Sequence, residues 1–317
     1  LDIDQSGTIY AGAVGEFGYL QPNLQGSMIY HSLIHKLPEP DRDFSEIWRL
    51  YTTDHGIYFF GRDRIFRYNQ DNIKSIKSYK VDPRTVAKIG NRIFFISKGV
   101  IHLIQKDRIT PLPTPTITFP DKKYTQFFPH RDKVLIVNEK LGCFRFDVER
   151  ARMGKQDSIV HFDSEVASYI QKHRNYCGTH LQNGNYAIGT ISGGIIIFGP
   201  DGKIFRIINK YRGLPGRIVF SLHQNRSGSL WATLNGLISH IDIHSPISKF
   251  NELNGLEASL LNVTRYKGRL YIGDFTGLYY LESYQPMVDE DKHFFIPVFK
   301  DESYWCSDIL DDVLIAG

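Results

Sequence analysis

Asn225-Arg226-Ser227-Gly228-Ser229-Leu230-Trp231-Ala232-Thr233, with Asn235-Gly236-Leu237 just behind it, contains the unit from which the whole chain is built. Asn starts a tight turn, the Gly three positions on takes a positive φ, a short apolar strand follows, and a second Gly turns the chain again. The same order recurs at Asp4-Gln5-Ser6-Gly7-Thr8-Ile9-Tyr10-Ala11-Gly12 with Gly15, and at Asn183-Gly184-Asn185-Tyr186-Ala187-Ile188-Gly189-Thr190 with Gly193. It recurs again at Lys267-Gly268-Arg269-Leu270-Tyr271-Ile272-Gly273 with Gly277. Weaker copies begin at Gly56, Asn91 and Asp132, and a short one, Asp312-Val313-Leu314-Ile315-Ala316-Gly317, ends the chain. Anchored on positions 10, 58, 94, 135, 187, 231, 271 and 314, the copies repeat every ~43 residues, the period of a four-stranded propeller blade.

Within each copy the turn leads into an apolar strand in the crowded middle of a blade. Small residues at Gly12, Gly189, Thr233 and Gly273 are expected to let neighbouring backbones approach. Gly15, Gly193, Gly236 and Gly277 turn the chain into a third strand, and a more polar fourth follows, as in Ile204-Phe205-Arg206-Ile207-Ile208 after the Asp201-Gly202 turn. The expected fold is all-β: a β-propeller of four-stranded antiparallel blades, seven in number, with eight or a truncated ring as the alternatives. Residues 1–317 are read as one propeller domain and as a piece of a longer protein. Composition agrees: 21 Phe, 18 Tyr and 27 Gly stand against nine alanines, which suits a sheet protein with many tight turns and not a helix bundle.

With 38 Lys and Arg against 34 Asp and Glu, the net charge is +4, too small over this length to suggest a nucleic-acid partner or an anionic membrane surface. Apolar runs such as Ile195-Ile196-Ile197-Phe198 are strand-sized, well short of the ~18 residues that span a bilayer. Membrane attachment is therefore expected only through segments outside this chain. The opening Leu1-Asp2-Ile3-Asp4-Gln5 has neither the basic start nor the apolar stretch of a signal peptide. Cys143, Cys177 and Cys306 form no CxxC or zinc spacing, and no disulfide framework is expected.

The copies resemble the two-component regulator propeller repeat, Asp-x-x-Gly-x-Leu-Trp-x-Gly-Thr-x-x-Gly-Leu. Asn225 to Asp242 matches best, with Leu230-Trp231, Gly236-Leu237 and Ile241-Asp242 in register; Asn225 replaces the Asp, and Thr233 stands where Gly is usual. The opening Ile9-Tyr10-Ala11-Gly12 through Gly15-Glu16-Phe17-Gly18-Tyr19-Leu20 looks like the subgroup of large bacterial sensors that carry such propellers ahead of a triple-tyrosine domain and a membrane helix. The resemblance implies the periplasmic input domain of a membrane-anchored signalling protein. It would be non-catalytic and would bind an oligosaccharide or small molecule that biases the arrangement of a homodimer. The alternatives are a propeller hydrolase or lyase acting on glycans, and a protein-interaction scaffold.

In such a fold the turns between second and third strands share one rim with the connections between blades. The ligand candidates on that rim are Glu16, Phe17, Arg62, Asp63, Lys98, Asn138, Glu139, Asn235, Asp274 and Phe275, with Ser192 beside them. Rings cover the apolar face of a sugar while amides and carboxylates bond its hydroxyls. Other patterns read more plainly. Gly189-Thr190-Ile191-Ser192-Gly193-Gly194 lacks the order of a phosphate loop and is expected to be a hairpin turn. His240-Ile241-Asp242-Ile243-His244 alternates as a strand with a polar face, so no metal or other cofactor is expected. Lys122-Lys123 and Arg150-Ala151-Arg152 read as solvated surface, and Phe162 to Arg174 as a short helix or a long loop between blades. The isolated Ser residues show no nucleophile elbow.

Overall fold

A computed structural model describes residues 1–77, 79–106, 108–120, 124–245, 250, 252–256, 258–281 and 295–317. The chain is all-β, and its sheets are propeller blades formed by strands that follow one another in chain order. Among the described residues six sheets have four strands, one has three and one has two. Each anchor position of the repeat lies in the second strand of its own sheet: Ile9–Ala13, Gly56–Phe60, Arg92–Ser97, Lys133–Asn138, Tyr186–Thr190, Leu230–Leu234, Arg269–Asp274 and Val313–Ala316.

The turns before these strands form as their residues dictate. Asp4 Oδ1 accepts the amides of Ser6 at 2.9 Å and Thr8 at 3.0 Å, while Gly7 sits at φ 88°. Asn225 Oδ1 accepts the Ser229 amide at 3.0 Å, with Gly228 at φ 89°. A side-chain acceptor and a residue free to adopt positive φ together close the turn.

The chain divides into two compact units, Leu1–Tyr176 and Cys177–Gly317. In the first, the core lies between successive sheets, because the central strands Gly56–Phe60, Arg92–Ser97 and Lys133–Asn138 are buried on both faces. Ile57 and Phe59 pack with Tyr10 and Phe17 of the first sheet, whereas Tyr58 and Phe60 pack with Ile93 and Phe95 of the third. Phe94 and Ile96 in turn pack with Phe127, Val134 and Ile136 of the fourth. A side-chain period of two thus serves two interfaces at once. Aromatic rings fill much of this space: Phe17 and Phe59 lie 4.5 Å apart and Phe94 and Phe127 are stacked at 5.7 Å.

The first unit also carries two helices, α1 (Val148–Arg152) and α2 (Glu165–His173). Helix α2 occupies the segment for which the sequence allowed a helix or a loop. Ser164 caps it by accepting the Ala167 amide at 3.2 Å, and Val166, Tyr169 and Ile170 are buried, so its aromatic residue packs inward. Helix α1 contains Arg150-Ala151-Arg152: Arg150 pairs with Asp157, Arg152 pairs with Glu149, and Ala151 is buried. Lys122-Lys123 lies outside the described residues.

The second unit holds the later sheets. Gly189 Cα lies against the next sheet: a Cβ there would meet Val219 Cγ1 at 2.5 Å and Cys177 Sγ at 2.7 Å. Thr233, at the equivalent place, is exposed. Gly189-Thr190-Ile191-Ser192-Gly193-Gly194 is a hairpin turn, with the Thr190 amide donating to Gly194 O at 2.9 Å. Among the described residues no helix is long and apolar enough to cross a membrane.

Candidate functional site

A cavity of ≈ 500 Å³ opens in the first unit, large enough for a small organic ligand. Three kinds of segment build it. Trp48 precedes the first strand of the second sheet, and Arg62 and Lys98 come from the turns after Gly56–Phe60 and Arg92–Ser97. Lys80, Asp82, Arg84, Pro120 and Tyr124 come from connections between sheets, and Tyr176 closes the unit.

Short-range chemistry fixes several of these groups. Asp82-Pro83 starts a single 3-10 turn, in which Asp82 Oδ1 accepts the Arg84 amide at 3.1 Å and Arg84 Nε at 2.7 Å. The Arg84 guanidinium then lies 5.2 Å from the centre of the Tyr124 ring. Tyr124 and Tyr176 rings sit 5.0 Å apart, and burial pushes the Tyr124 hydroxyl above its ordinary range, so it stays a neutral donor near pH 7. On the other wall Glu46 Oε1 accepts from Arg62 Nε at 2.8 Å and from Trp48 Nε1 at 2.6 Å. Arg62 in turn lies over the Trp48 ring at 5.6 Å. Lys80 and Lys98 are exposed and have no carboxylate partner among the described residues.

Of the ten candidate residues the structure brings two, Arg62 and Lys98, into this cavity. Glu139 stands behind it: it accepts from Arg174 Nε at 2.9 Å and from the Tyr124 amide at 3.4 Å, holding the strand entry that carries Tyr124. Asp63 pairs with Arg64 at 2.7 Å. The rest lie elsewhere. Glu16 Oε1 is occupied by Tyr30, Ser32 and the Phe17 amide, at 3.1, 2.9 and 2.8 Å.

Four candidates are buried: Glu139, at 5 % exposure, and three with no exposed surface. Phe17 is 0 % exposed, because its strand position turns the ring onto Phe59 and Phe66 between two sheets. Asn138 and Asp274 are also 0 % exposed, and each staples its own turn. Asn138 Oδ1 accepts the amides of Lys140 and Leu141 at 3.0 and 2.9 Å; Asp274 Oδ1 accepts those of Thr276 and Gly277 at 2.6 and 2.8 Å. Both end the second strand of a sheet, where an inward-pointing oxygen meets the amides of the turn that follows. Asn235 and Phe275 are exposed in the second unit, Phe275 edge-on to Trp305 at 5.1 Å.

Trp48, Lys80, Asp82, Arg84, Tyr124 and Tyr176 were not among the sequence candidates, which came only from the turns inside blades. For Lys80, Asp82 and Arg84 the signal was the Asp82-Pro83 turn starter within Lys80-Val81-Asp82-Pro83-Arg84, a connection on the same rim. A second recess in the second unit, which includes Ser192, measures ≈ 20 Å³, room for about one water. Among the described residues no three His, Cys, Asp or Glu side chains gather as metal ligands. The strand containing His240 ends at Ile241, and Asp242 Oδ1 accepts the His244 amide at 2.9 Å, so the segment turns where strand alternation was expected to continue.

No family model matches the sequence, and no curated protein matches it. Solved structures do. The WD40 β-propeller domain of Doa1 aligns with a TM-score of 0.54 and 11% identity over 77% of this chain and 78% of that one. An extracellular domain assigned to the hybrid two component system BT4673 of B. thetaiotaomicron aligns with a TM-score of 0.54 and 14% identity over 93% of this chain. The chain is a β-propeller. It spans 39% of the length of the BT4673 domain, and at these identities the likeness is one of fold.

Proposed function

We propose that this chain is the ligand-binding sensor propeller of a bacterial membrane-anchored signalling protein of the two-component type, placed on the extracytoplasmic side, and that it binds its signal without turning it over. The observation that carries the reading is the ≈ 500 Å³ cavity walled by Trp48, Tyr124 and Tyr176, with two lysines that have no carboxylate partner among the described residues. Its position on the rim of turns and connections is where propellers gather loop side chains without disturbing the blades. The repeat resemblance supports the compartment and the signalling role, and the fold shared with an extracellular domain assigned to a two component system agrees with both.

Non-catalytic binding is favoured by the cavity's charges. Asp82 is the one carboxylate among its described lining residues, and Arg84 holds it. Hydrolysis of a glycosidic bond by the usual route needs a pair of carboxyl groups about 5–10 Å apart. A bound molecule would act by preferring one arrangement of paired propellers, and would shift that equilibrium only by its differential affinity for the two.

Thermal unfolding of the chain against a library of glycan fragments and metabolites tests the proposal. A true ligand at a hundredfold excess over its Kd adds about 2.7 kcal/mol of stability. We expect a midpoint rise that Tyr124→Ala abolishes, with the compound recovered intact. Recovery of a cleaved compound would make the chain an enzyme, and a library without effect would contradict the sensor reading.

A further inference from the structure

We infer that the molecule taken by this cavity is a ring-bearing anion, recognised through Lys80 and Lys98. The inference rests on the cavity being the ligand site. Four cationic side chains line it, but they are not equivalent. The Arg62 charge is met by Glu46 and the Arg84 charge by Asp82, so both guanidinium groups are already neutralised and held in place. Among the described residues Lys80 and Lys98 have no carboxylate partner, and both line the cavity.

A neutral occupant would strip water from both ammonium groups and return nothing. A ligand bearing a carboxylate, sulfate or phosphate pairs with them and replaces the lost water. Lysines present point charges, whereas a guanidinium fork selects planar, bidentate anions, so the free cations here admit any of the three groups. The aromatic lining supplies the other half of recognition: Trp48, half exposed and fixed by its bond to Glu46, offers apolar area to a ring, while Tyr124, buried beneath Arg84, backs the wall.

Titration calorimetry on the whole 317-residue chain with matched pairs decides the matter. The pairs are digalacturonate against galactobiose, N-acetylglucosamine 6-sulfate against N-acetylglucosamine, and glucose 6-phosphate against glucose. We expect at least one charged member to bind about tenfold or more tightly than its neutral mate and to weaken as salt rises. The pair that responds identifies the anionic group. The double variant Lys80→Gln, Lys98→Gln should lose about tenfold in affinity for that compound, with its unfolding midpoint unchanged, since both side chains are exposed. Equal affinity within every pair, no binding of any charged member at about 10 mM, or a double variant that binds as well as the parent would each overturn the inference. A neutral compound that the double variant binds but Tyr124→Ala does not would overturn the charge argument and leave the cavity as the binding site. Binding unaffected by all three substitutions would remove the cavity itself.

Discussion

One oxygen of the Asp274 carboxylate accepts from the Thr276 amide and hydroxyl at 2.6 and 2.8 Å and from the Gly277 amide at 2.8 Å, while the other, also buried, has no partner among the described residues. Asparagine keeps the accepting oxygen and replaces the orphan with a donor. Asp274→Asn should therefore change stability by less than about 1 kcal/mol, whereas Asp274→Ala, which strands the turn amides, should cost about 1–3 kcal/mol in urea unfolding. Equal losses in the two variants would show that the staple is not what matters there. Cysteine chemistry is set by burial in the same way. Burial pushes the Cys143 thiol up to about 11 against the opposing bond from Ser164, and Cys177 is buried too, while Cys306 is exposed. Iodoacetamide on the native chain should add one group, at Cys306, and three only after unfolding, as read by peptide mass spectrometry. Modification of Cys143 or Cys177 in the native state would show those sheets to be open.

The blades themselves were legible in the sequence because their information is local. A turn acceptor, a positive-φ glycine and a short apolar strand lie within a dozen residues of one another, and all eight anchors fall in second strands. Close approach between sheets was legible at Gly189 but not at Thr233, since nothing in the sequence near Thr233 shows that its side chain faces solvent. Gly189→Ala must push Val219 or Cys177 aside and should cost about 1–3 kcal/mol, measured by chemical denaturation. Phe95→Ala empties a site shared by Phe60 and His102 and should cost about 3–5 kcal/mol. Losses below about 0.5 kcal/mol in both would contradict face-to-face packing of the sheets. The rim candidates were less legible. Whether Asn138 or Asp274 points to solvent or into its own turn depends on one side-chain torsion, and sequence spacing leaves that open. Trp48 and Tyr124 meet only after the chain has passed through two intervening sheets, a juxtaposition that no local pattern encodes.

At the level of the whole chain, histidine burial sets a dependence on pH. His102 is held below its ordinary range by burial, despite its bond to Val100 O, and burial likewise lowers His130 and His180. Groups that bind protons less readily when folded favour unfolding once the unfolded chain takes them up. Stability is therefore full above the unfolded value of about 6.5 and is lost as pH falls from there through the folded values. The unfolding midpoint should drop between about pH 7.5 and pH 5, less steeply in His102→Gln; a midpoint that rose on acidification would contradict the burial of these rings.

The proposed binding site is the cavity of the first unit and not the exposed turns of the second. Hydrogen–deuterium exchange, with and without the compound that most raises the unfolding midpoint, tests it directly. Protection confined to peptides covering Trp48 to Arg62, Lys80 to Lys98 and Tyr124 is the predicted result. Protection at Asn235 and Phe275, with those peptides unchanged, would contradict it.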